Sequence, residues 1–234
     1  MERYSPRKAL LRSIDTVARD TLVYRVELDE PLPFKAGQFV NLAVPGAKPR
    51  GERSYSVYSD PASPGVLDFC IKLFAGGAAS EYLRERKVGD VLDIRGPFGV
   101  FTLPEEIEPV TFVATGTGLA PFHSMLLEQE RLGNRRIFRL FFGVRAEEDV
   151  FGVATLQRWK QSLNFDYTLC LSRPEAPEAM KEGCVIGRVT QAIADHSPEG
   201  HWYLCGNGSM IEEVRGLLKG KGLDRKQIHV EKYY

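Results

Sequence analysis

The stretch VTFVATGTGLAPFHSMLLEQERL, residues Val110–Leu132, decides the fold of this chain. Its first part, Val110–Thr115, is a continuous and mostly apolar run, which is typical of a strand buried on both faces of a parallel sheet. Gly116 and Gly118 follow, and the apolar residues after them recur at helical spacing, up to Leu132. The stretch therefore predicts a strand, a tight turn and a helix.

The residues that follow repeat this alternation to the end of the chain. The strand-like runs are Ile137–Gly143, Asp166–Ser172, His201–Gly206 and Ile228–Tyr234, and the helical runs are Val189–Asp195 and Ser209–Lys219. Alternating strands and helices predict a parallel sheet covered by helices, as in nucleotide-binding domains. We assign this α/β domain to residues 107–234.

The residues before this domain have a different pattern. Short segments that alternate apolar and polar residues are separated by Gly- and Pro-rich turns. They are Thr21–Leu28, Gln38–Val44, Leu67–Phe74 and Asp90–Gly96, with one short helical segment at Ala79–Lys87. Many short strands at regular spacing predict an antiparallel β-barrel or sandwich. We assign this domain to residues 1–106.

Composition excludes several classes of protein. Hydrophobic residues make up 43% and charged residues 26% of the chain, which are ordinary values for a globular protein. Lys plus Arg and Asp plus Glu both number 31, so the chain lacks the basic excess of a nucleic-acid binder. The uncharged run from Pro109 to Leu127 is long enough for a membrane span, but its prolines and glycines favour a buried strand, turn and helix.

The cysteines and the N-terminus bear on location and on metals. Cys70, Cys170, Cys184 and Cys205 are far apart and form no C-x-x-C pair, so zinc ribbons and sequence-local iron–sulfur loops are excluded and no metal ligands are assigned. The first residues are charged and have no apolar core, unlike a secretory signal. These features predict reduced thiols in a cytoplasmic protein.

Four segments could bind a ligand, and each has a structural alternative. Gly116–Pro121 could hold a pyrophosphate at the start of a helix, or it could be a tight turn. In Arg53–Ser56 an arginine and a tyrosine share one face, as a phosphate and a flat ring require, but an ordinary barrel strand has the same composition. Gly76–Leu83 could bind phosphate or simply begin a helix with Ser80 as its cap.

The fourth segment combines two parts of the α/β domain. Cys205–Met210 starts at the carboxyl end of a strand, where open α/β sheets bind ligands. Val230–Tyr234 ends the chain with two aromatic residues. The alternatives are that Cys205 is a small buried residue and that the aromatic residues complete the last strand.

The chain contains, in this order, the motifs RSYS, CIKL, GGAAS, GPFG, GTGLAPF, FFGVR, LSR, CGNGSM and the terminal VEKYY. Taken together, these motifs resemble the ferredoxin–NADP(+) reductase family of FAD enzymes. The resemblance extends from about Leu22 to Tyr234. It implies a flavin-binding antiparallel β-barrel followed by a parallel α/β domain that binds the nicotinamide nucleotide. An aromatic residue follows the penultimate tyrosine, and in this feature the chain is similar to the bacterial short-chain members of the family.

The resemblance implies specific contacts to FAD. Arg53 matches the arginine that faces the FAD pyrophosphate, and Tyr55 matches the tyrosine that stacks on the isoalloxazine. Ser56 matches the serine near flavin N5, the atom that exchanges hydride. Further flavin or pyrophosphate contacts are implied for Ile71, Lys72, Gly77 and Ser80.

The resemblance also implies contacts to the nucleotide NADP(H). The pyrophosphate loop matches Gly116, Thr117, Gly118 and Pro121, and the pair beside the nicotinamide matches Cys205 and Gly206. The 2′-phosphate ligands match Arg145, Ser172, Arg173 and Arg188, although solvated arginines would look the same in sequence. Catalytic roles are implied for Ser56, Cys205, Glu231 and Tyr233, with Tyr233 over the flavin and Tyr234 beyond it.

The function expected from the resemblance is electron transfer between NADP(H) and a separate ferredoxin or flavodoxin, because the chain has no cluster cysteines of its own. Two alternatives stay open. One is the NAD(P)H-dependent reductase component of a multicomponent oxygenase, or a flavin or ferric reductase. The other is a non-catalytic flavin-binding subunit. The basic residues Arg84, Arg86 and Lys87 are candidates for partner docking, and the sequence leaves the oligomeric state open.

Overall fold

The computed structural model of the protein describes residues 5–48, 50–105, 108–176 and 184–233. The chain divides into two compact units. The first comprises Met1–Leu103 with Ala120–Glu128, and the second comprises Pro104–Leu119 with Gln129–Tyr234. Residues 120–128 thus group with the first unit, although they follow the sequence boundary expected between residues 106 and 107.

The first unit is built on a six-stranded antiparallel sheet. Its strands are β1 Arg7–Ala18, β2 Thr21–Leu28, β3 Phe39–Ala43, β4 Glu52–Ser56, β5 Val66–Lys72 and β6 Val91–Phe98, in the order β4-β3-β6-β1-β2-β5. Just after β4, the backbone N–H of Tyr58 donates to the carbonyl of Asp68 in β5 at 2.8 Å. This bond links the two outer strands of the sheet, as in the expected barrel.

One short helix, α1 Ala78–Arg84, packs against the apolar interior of this sheet. The alternation seen in sequence directs every second side chain inwards, so that Leu11, Val26 and Val40 are completely buried. The predicted capping role of Ser80 is wrong, because the helix begins two residues earlier, with Gly77 at its N-cap. The Ser80 hydroxyl instead accepts a hydrogen bond from the backbone N–H of Phe74 at 2.9 Å.

The second unit is built on a six-stranded parallel sheet. Its strands are β7 Val110–Thr115, β8 Phe138–Val144, β9 Phe165–Leu171, β10 Cys184–Ile186, β11 His201–Asn207 and β12 Ile228–Tyr233, in the order β10-β9-β8-β7-β11-β12. The remaining helices are α2 Ala120–Arg131, α3 Val153–Ser162, α4 Val189–Ala192 and α5 Gly208–Gly220. The predicted α/β architecture is confirmed. Among the described residues, none of the helices combines the length and the hydrophobicity that a membrane span requires.

The predicted helical face after the glycine turn is correct except at its end. Phe122, Met125 and Leu126 are completely buried. Leu132 was expected on the same face, but α2 ends at Arg131 and Leu132 is 62% exposed. Gly133 follows in a left-handed conformation, which ends the helix before Leu132 can complete the apolar stripe.

Glu130, near the end of α2, binds three side chains of α3. Its carboxylate accepts hydrogen bonds from the Ser162 hydroxyl at 2.6 Å, from Arg158 Nη2 at 2.9 Å and from Trp159 Nε1 at 3.1 Å. Partial burial opposes ionisation, but the bonds from Ser162, Arg158 and Trp159 outweigh it and lower the pKa of Glu130.

We expect the contribution of Glu130 to stability to depend on pH. A carboxyl whose pKa is lower in the folded than in the unfolded protein stabilises the fold above its unfolded pKa of about 4.3, and this contribution is lost as the pH falls through the folded pKa. Glu130→Gln should cost about 1 kcal/mol at pH 7 and flatten the acid side of the stability curve. Urea unfolding at several pH values measures this, and parallel wild-type and variant curves would contradict it.

Candidate functional site

The flavin-site residues expected in the first unit lie on the edge strand β4 and around α1. Arg53, Tyr55 and Ser56 occupy β4, which pairs with β3 so that Tyr55 is opposite Val40 and Ser56 is opposite Phe39. Tyr55 packs against the interior of the sheet, and Ser56 is buried. The strand therefore presents one aromatic ring and one hydroxyl at adjacent positions.

The Arg53 guanidinium is held in place by backbone carbonyls. Nη1 donates to the carbonyl of Glu52 and Nη2 donates to the carbonyl of Lys48, both at 2.8 Å. A guanidinium has five N–H donors, so these two bonds orient the group and leave donors for an anion. An oriented guanidinium suits bidentate recognition of phosphate.

The Tyr55 phenol is neutral at any physiological pH. Burial raises the pKa of Tyr55 to about 12, although the nearby charge of Arg53 opposes the shift. An uncharged, partly buried ring next to an oriented cation fits the isoalloxazine and pyrophosphate of FAD, because the ring can stack while the cation binds phosphate.

The other expected flavin contacts lie in β5 and in the turn before α1. Ile71 is buried and Lys72 is partly exposed at the end of β5, where they pair with Leu22 and Thr21 of β2. Gly77 lies beside Ser80, so that a Cβ at Gly77 would be 3.3 Å from the Ser80 hydroxyl. Gly76 has φ +74° and open space where a side chain would lie.

The glycine turn of the second unit combines an open position with a crowded one. Gly116 has φ +53° and nothing within 4 Å of a would-be Cβ, so its backbone is accessible to a ligand. At Gly118 a Cβ would lie 2.3 Å from the carbonyl oxygen of Cys205. The second glycine is therefore required by contact with another strand of the same sheet. Thr117 and Pro121 lie on either side of this position, in the short 3₁₀ turn Gly116–Leu119 and in the first turn of α2.

The carboxyl ends of β7, β11 and β12 bring together the residues expected beside the nicotinamide. Cys205 pairs with Ala114 of β7 on one side and with Glu231 of β12 on the other. At Gly206, φ is +130° and a Cβ would lie 2.3 Å from Thr115 Oγ1, so only glycine fits. Tyr233 pairs with Asn207 at the end of β12. Tyr234 lies outside the described residues.

The Cys205 thiol is protonated at neutral pH. Burial, with the charge of Glu231 as a smaller cause, raises the pKa of Cys205 well above its usual range, while a hydrogen bond with Tyr233 acts in the opposite direction. Cys205 is also completely buried. A neutral buried thiol is a packing group rather than a nucleophile, since the thiolate is the reactive form.

Sequence reasoning did not single out Thr115, which joins the two strand ends. Its hydroxyl accepts a hydrogen bond from the backbone N–H of Asn207 at 2.9 Å. Asn207 in turn caps α5 by accepting a bond from the N–H of Ser209 at 2.8 Å. A threonine as the last residue of an apolar strand, directly before a glycine turn, was the available signal.

The arginines expected at the 2′-phosphate lie along the same carboxyl edge of the sheet. Val144, Leu171 and Ile186 are aligned in register at the ends of β8, β9 and β10, and Arg145, Ser172 with Arg173, and Arg188 follow them. Backbone bonds extend the ladder, since Ser172 N–H donates to Val144 at 3.1 Å and Arg173 N–H donates to Arg145 at 2.7 Å.

The charges of these arginines are balanced to different degrees. Arg188 is 3.7 Å from Glu213 in an exposed ion pair, which contributes little. Within the described part of the chain, the guanidinium groups of Arg145 and Arg173 have no hydrogen bond or ion pair to another residue. Two cations just beyond the ends of neighbouring strands, with no ion pair in the part of the chain that the structure describes, form a local site for an anion.

Two protein families match successive parts of the chain. Residues 8–103 match the family described as "Oxidoreductase FAD-binding domain", and residues 112–216 match "Oxidoreductase NAD-binding domain". The chain is 34% identical to ferredoxin–NADP reductase B of Sorangium cellulosum, over 99% of this chain and 98% of that protein. It is 31% identical to the reductase component of propane 2-monooxygenase from Rhodococcus jostii, over 94% of this chain but only 61% of that protein.

Solved structures share the fold. A cytochrome P450 reductase from Amycolatopsis superposes with a TM-score of 0.87 at 27% identity, over 97% of this chain and 69% of that chain. A ferredoxin NADP+ reductase from Neisseria gonorrhoeae, solved with bound FAD and NADP, superposes over 100% of both chains with a TM-score of 0.82 at 21% identity. The match to the Sorangium reductase over nearly the full length of both proteins, with an FAD-binding and an NAD-binding domain in the same order, shows that this chain belongs to the ferredoxin–NADP reductase family of oxidoreductases.

Proposed function

We propose that this protein transfers electrons between NADP(H) and a small, separate redox protein, a ferredoxin or a flavodoxin, in the cytoplasm. The observation that carries the proposal is the pair of guanidinium groups at the carboxyl edge of the parallel sheet, Arg145 and Arg173, which have no ion pair within the described residues. NADPH differs from NADH by a 2′-phosphate, and a cationic pair beside the nucleotide site favours the phosphorylated form.

In the proposed site each domain has its own task. Residues 1–106 bind FAD, with Arg53 on the pyrophosphate, Tyr55 on the isoalloxazine and Ser56 near N5. Ile71, Lys72, Gly77 and Ser80 supply further contacts. When bound, FAD accepts two electrons as a hydride and releases them one at a time, which connects NADPH to one-electron carriers.

Residues 107–234 bind and orient the nucleotide. We assign the pyrophosphate to the backbone around Gly116, which is open, while Gly118 keeps the turn against Cys205. Cys205 and Gly206 orient the nicotinamide, and Glu231 supplies a carboxylate in register with the neutral thiol. Orientation of this kind is the main contribution that a protein can make to hydride transfer. The flavin and adenine contacts implied for Tyr233 and Tyr234 belong to the same proposal.

A reductase component of an oxygenase is the second candidate. The propane 2-monooxygenase component and the phenol hydroxylase P5 protein of Acinetobacter pittii, at 31% and 33% identity, support it. The chain spans 61% and 60% of the length of these two proteins.

The basic residues near α1 provide weak support for any acidic partner. Arg84 is 3.6 Å from Glu81, and Arg86 is 3.7 Å from Glu85 and 3.8 Å from Asp90. Each of these arginines therefore has a carboxylate close by, and the net local charge is small. The proposal of a separate partner is supported by the similarity to the Sorangium ferredoxin–NADP reductase over 98% of that protein, rather than by this patch.

The function is tested by reconstituting the purified protein with FAD and measuring its reduction of ferredoxin, flavodoxin and an oxygenase iron–sulfur component from the same cell. NADPH and NADH are compared as donors under anaerobic conditions. We expect the highest kcat/KM with NADPH and with ferredoxin or flavodoxin. A protein that binds FAD but reduces no acceptor with either nucleotide would instead be a non-catalytic flavin subunit.

Removing one cationic ligand should separate the two nucleotides. Arg173→Ala should reduce kcat/KM for NADPH by about ten- to hundredfold, or ~1.5–3 kcal/mol, because a charged hydrogen bond to the 2′-phosphate is lost. The value for NADH should stay within about twofold. Arg139→Ala, in the same sheet but before the carboxyl edge, is the control. Equal losses for both nucleotides would refute the assignment of Arg173.

A further inference from the structure

Glu147 is an exposed carboxylate whose contacts are with backbone amides. Its Oε2 accepts a hydrogen bond from the N–H of Glu175 at 2.9 Å, and its Oε1 accepts one from the N–H of Ala176 at 3.2 Å. The two donors lie in the loop after β9, whereas Glu147 lies in the turn after β8. One side chain therefore joins the connecting segments of two neighbouring strands.

These bonds complete a series that holds the loop carrying Ser172 and Arg173. The loop begins with the backbone bonds from Ser172 to Val144 and from Arg173 to Arg145. Glu147 adds two more bonds, two and three residues beyond Arg173. Arg173 is thus fastened on both sides, and its backbone cannot move away from Arg145 without breaking a bond in this series.

The same bonds determine where the charge of Glu147 is directed. The sequence places Arg145 two residues before Glu147, a spacing that would allow an ion pair across the turn. In the structure the carboxylate faces the two amides, and within the described residues neither Arg145 nor Arg173 forms an ion pair. The hydrogen bond from the Glu175 amide is the main cause of a lowered pKa of Glu147, so the carboxylate is ionised at neutral pH.

We propose that Glu147 is a positioning residue for nucleotide selectivity, which holds the Ser172–Ala176 loop so that Arg173 and Arg145 bind the 2′-phosphate of NADPH together. The proposal rests on the proposed function, because it needs the arginine pair to be the 2′-phosphate site. Glu147 does not touch the nucleotide in this scheme. Its effect is transmitted through the backbone of the loop.

Three variants separate positioning from charge. Glu147→Ala removes the acceptor and the charge, and Glu147→Gln removes the charge but retains one acceptor oxygen. Glu175→Ala is the matched control. It removes a negative charge from the Ser172–Ala176 loop but retains the backbone N–H that Glu147 binds. A pure charge effect predicts similar behaviour for Glu147→Ala and Glu175→Ala, namely a lower KM for NADPH, since a repelling charge has gone.

The first readout needs no nucleotide. Amide hydrogen exchange at residues 175 and 176 of the FAD-loaded protein should accelerate by about tenfold or more in Glu147→Ala, less in Glu147→Gln, and remain unchanged in Glu175→Ala. The second readout is kinetic. The KM for NADPH should rise by roughly tenfold in Glu147→Ala, with kcat and the KM for NADH within about twofold of the wild type.

Unchanged amide exchange in Glu147→Ala would overturn the inference, as would a KM for NADPH that falls in parallel with that of Glu175→Ala. A wild-type enzyme that does not distinguish NADPH from NADH would overturn the proposed nucleotide preference and with it the selectivity role of Glu147. The two failures are distinguishable, because the exchange measurement is made without nucleotide.

Discussion

Replacing Gly118 with alanine should destabilise the second unit by roughly 3 kcal/mol or more. The added Cβ would lie 2.3 Å from the carbonyl oxygen of Cys205 and 2.6 Å from its carbonyl carbon. Both atoms belong to the backbone of a central strand, so they cannot turn aside as the end of a side chain can. The β7 turn or the end of β11 must therefore shift.

Gly116→Ala is the matched control for this prediction. Gly116, unlike Gly118, has a left-handed backbone, with φ +53°, and open space where the methyl group would lie. Its replacement should cost only about 1 kcal/mol, the usual penalty for a non-glycine residue in this conformation. Both tryptophans, Trp159 and Trp202, are buried in the second unit, so urea unfolding followed by fluorescence reports on this unit. Equal midpoint shifts for both variants would contradict the predicted clash.

Replacing Arg53 with alanine should weaken FAD binding by about ten- to hundredfold, or ~1.5–3 kcal/mol. Two of its N–H groups bind the carbonyls of Glu52 and Lys48, so the remaining donors are directed before the cofactor arrives. Arg53→Lys should rescue little, because an ammonium cannot make two carbonyl bonds and a bidentate phosphate contact in the same plane.

The measurement is a titration of the FAD-free protein with FAD, followed by quenching of flavin fluorescence. Arg12→Ala is the control, since Arg12 is an exposed arginine of the same sheet that forms an ion pair with Glu27 at 2.6 Å. In both variants the free energy of unfolding should stay within about 1 kcal/mol of the wild-type value. FAD affinity that is the same in Arg53→Ala and Arg12→Ala would exclude Arg53 from the pyrophosphate site.

Local patterns were sufficient to predict the architecture and its order. The change from alternating to continuous apolar strands near residue 107 predicted an antiparallel sheet followed by a parallel one, because side-chain periodicity reflects which faces of a strand are buried. The predicted ends of the strands and helices were less accurate. The strand expected at Asp90–Gly96 is Val91–Phe98, and the helix expected at Ala79–Lys87 is Ala78–Arg84. Terminal residues depend on capping partners that lie elsewhere in the chain.

The candidate site was accessible from sequence only as separate motifs. Each motif occupies a strand end or a turn, and their order along the chain indicated the family. The sheet order β10-β9-β8-β7-β11-β12 determines which of these residues lie close together. It aligns Arg145, Arg173 and Arg188 along one edge of the sheet. No local pattern encodes that order, because neighbouring strands in a parallel sheet are joined by helices of variable length.

The sequence alone determined which residue types were present: glycines after an apolar strand, an arginine and a tyrosine sharing one strand face, and acids beside the arginines of two loops. Only the tertiary structure decided what each of them contacts. Gly118 is constrained by the carbonyl of Cys205, and Glu147 binds the amides of Glu175 and Ala176 instead of an arginine two residues away. The physical reason is that these contacts join atoms distant in sequence, and chain folding alone brings such atoms within a few ångströms of each other.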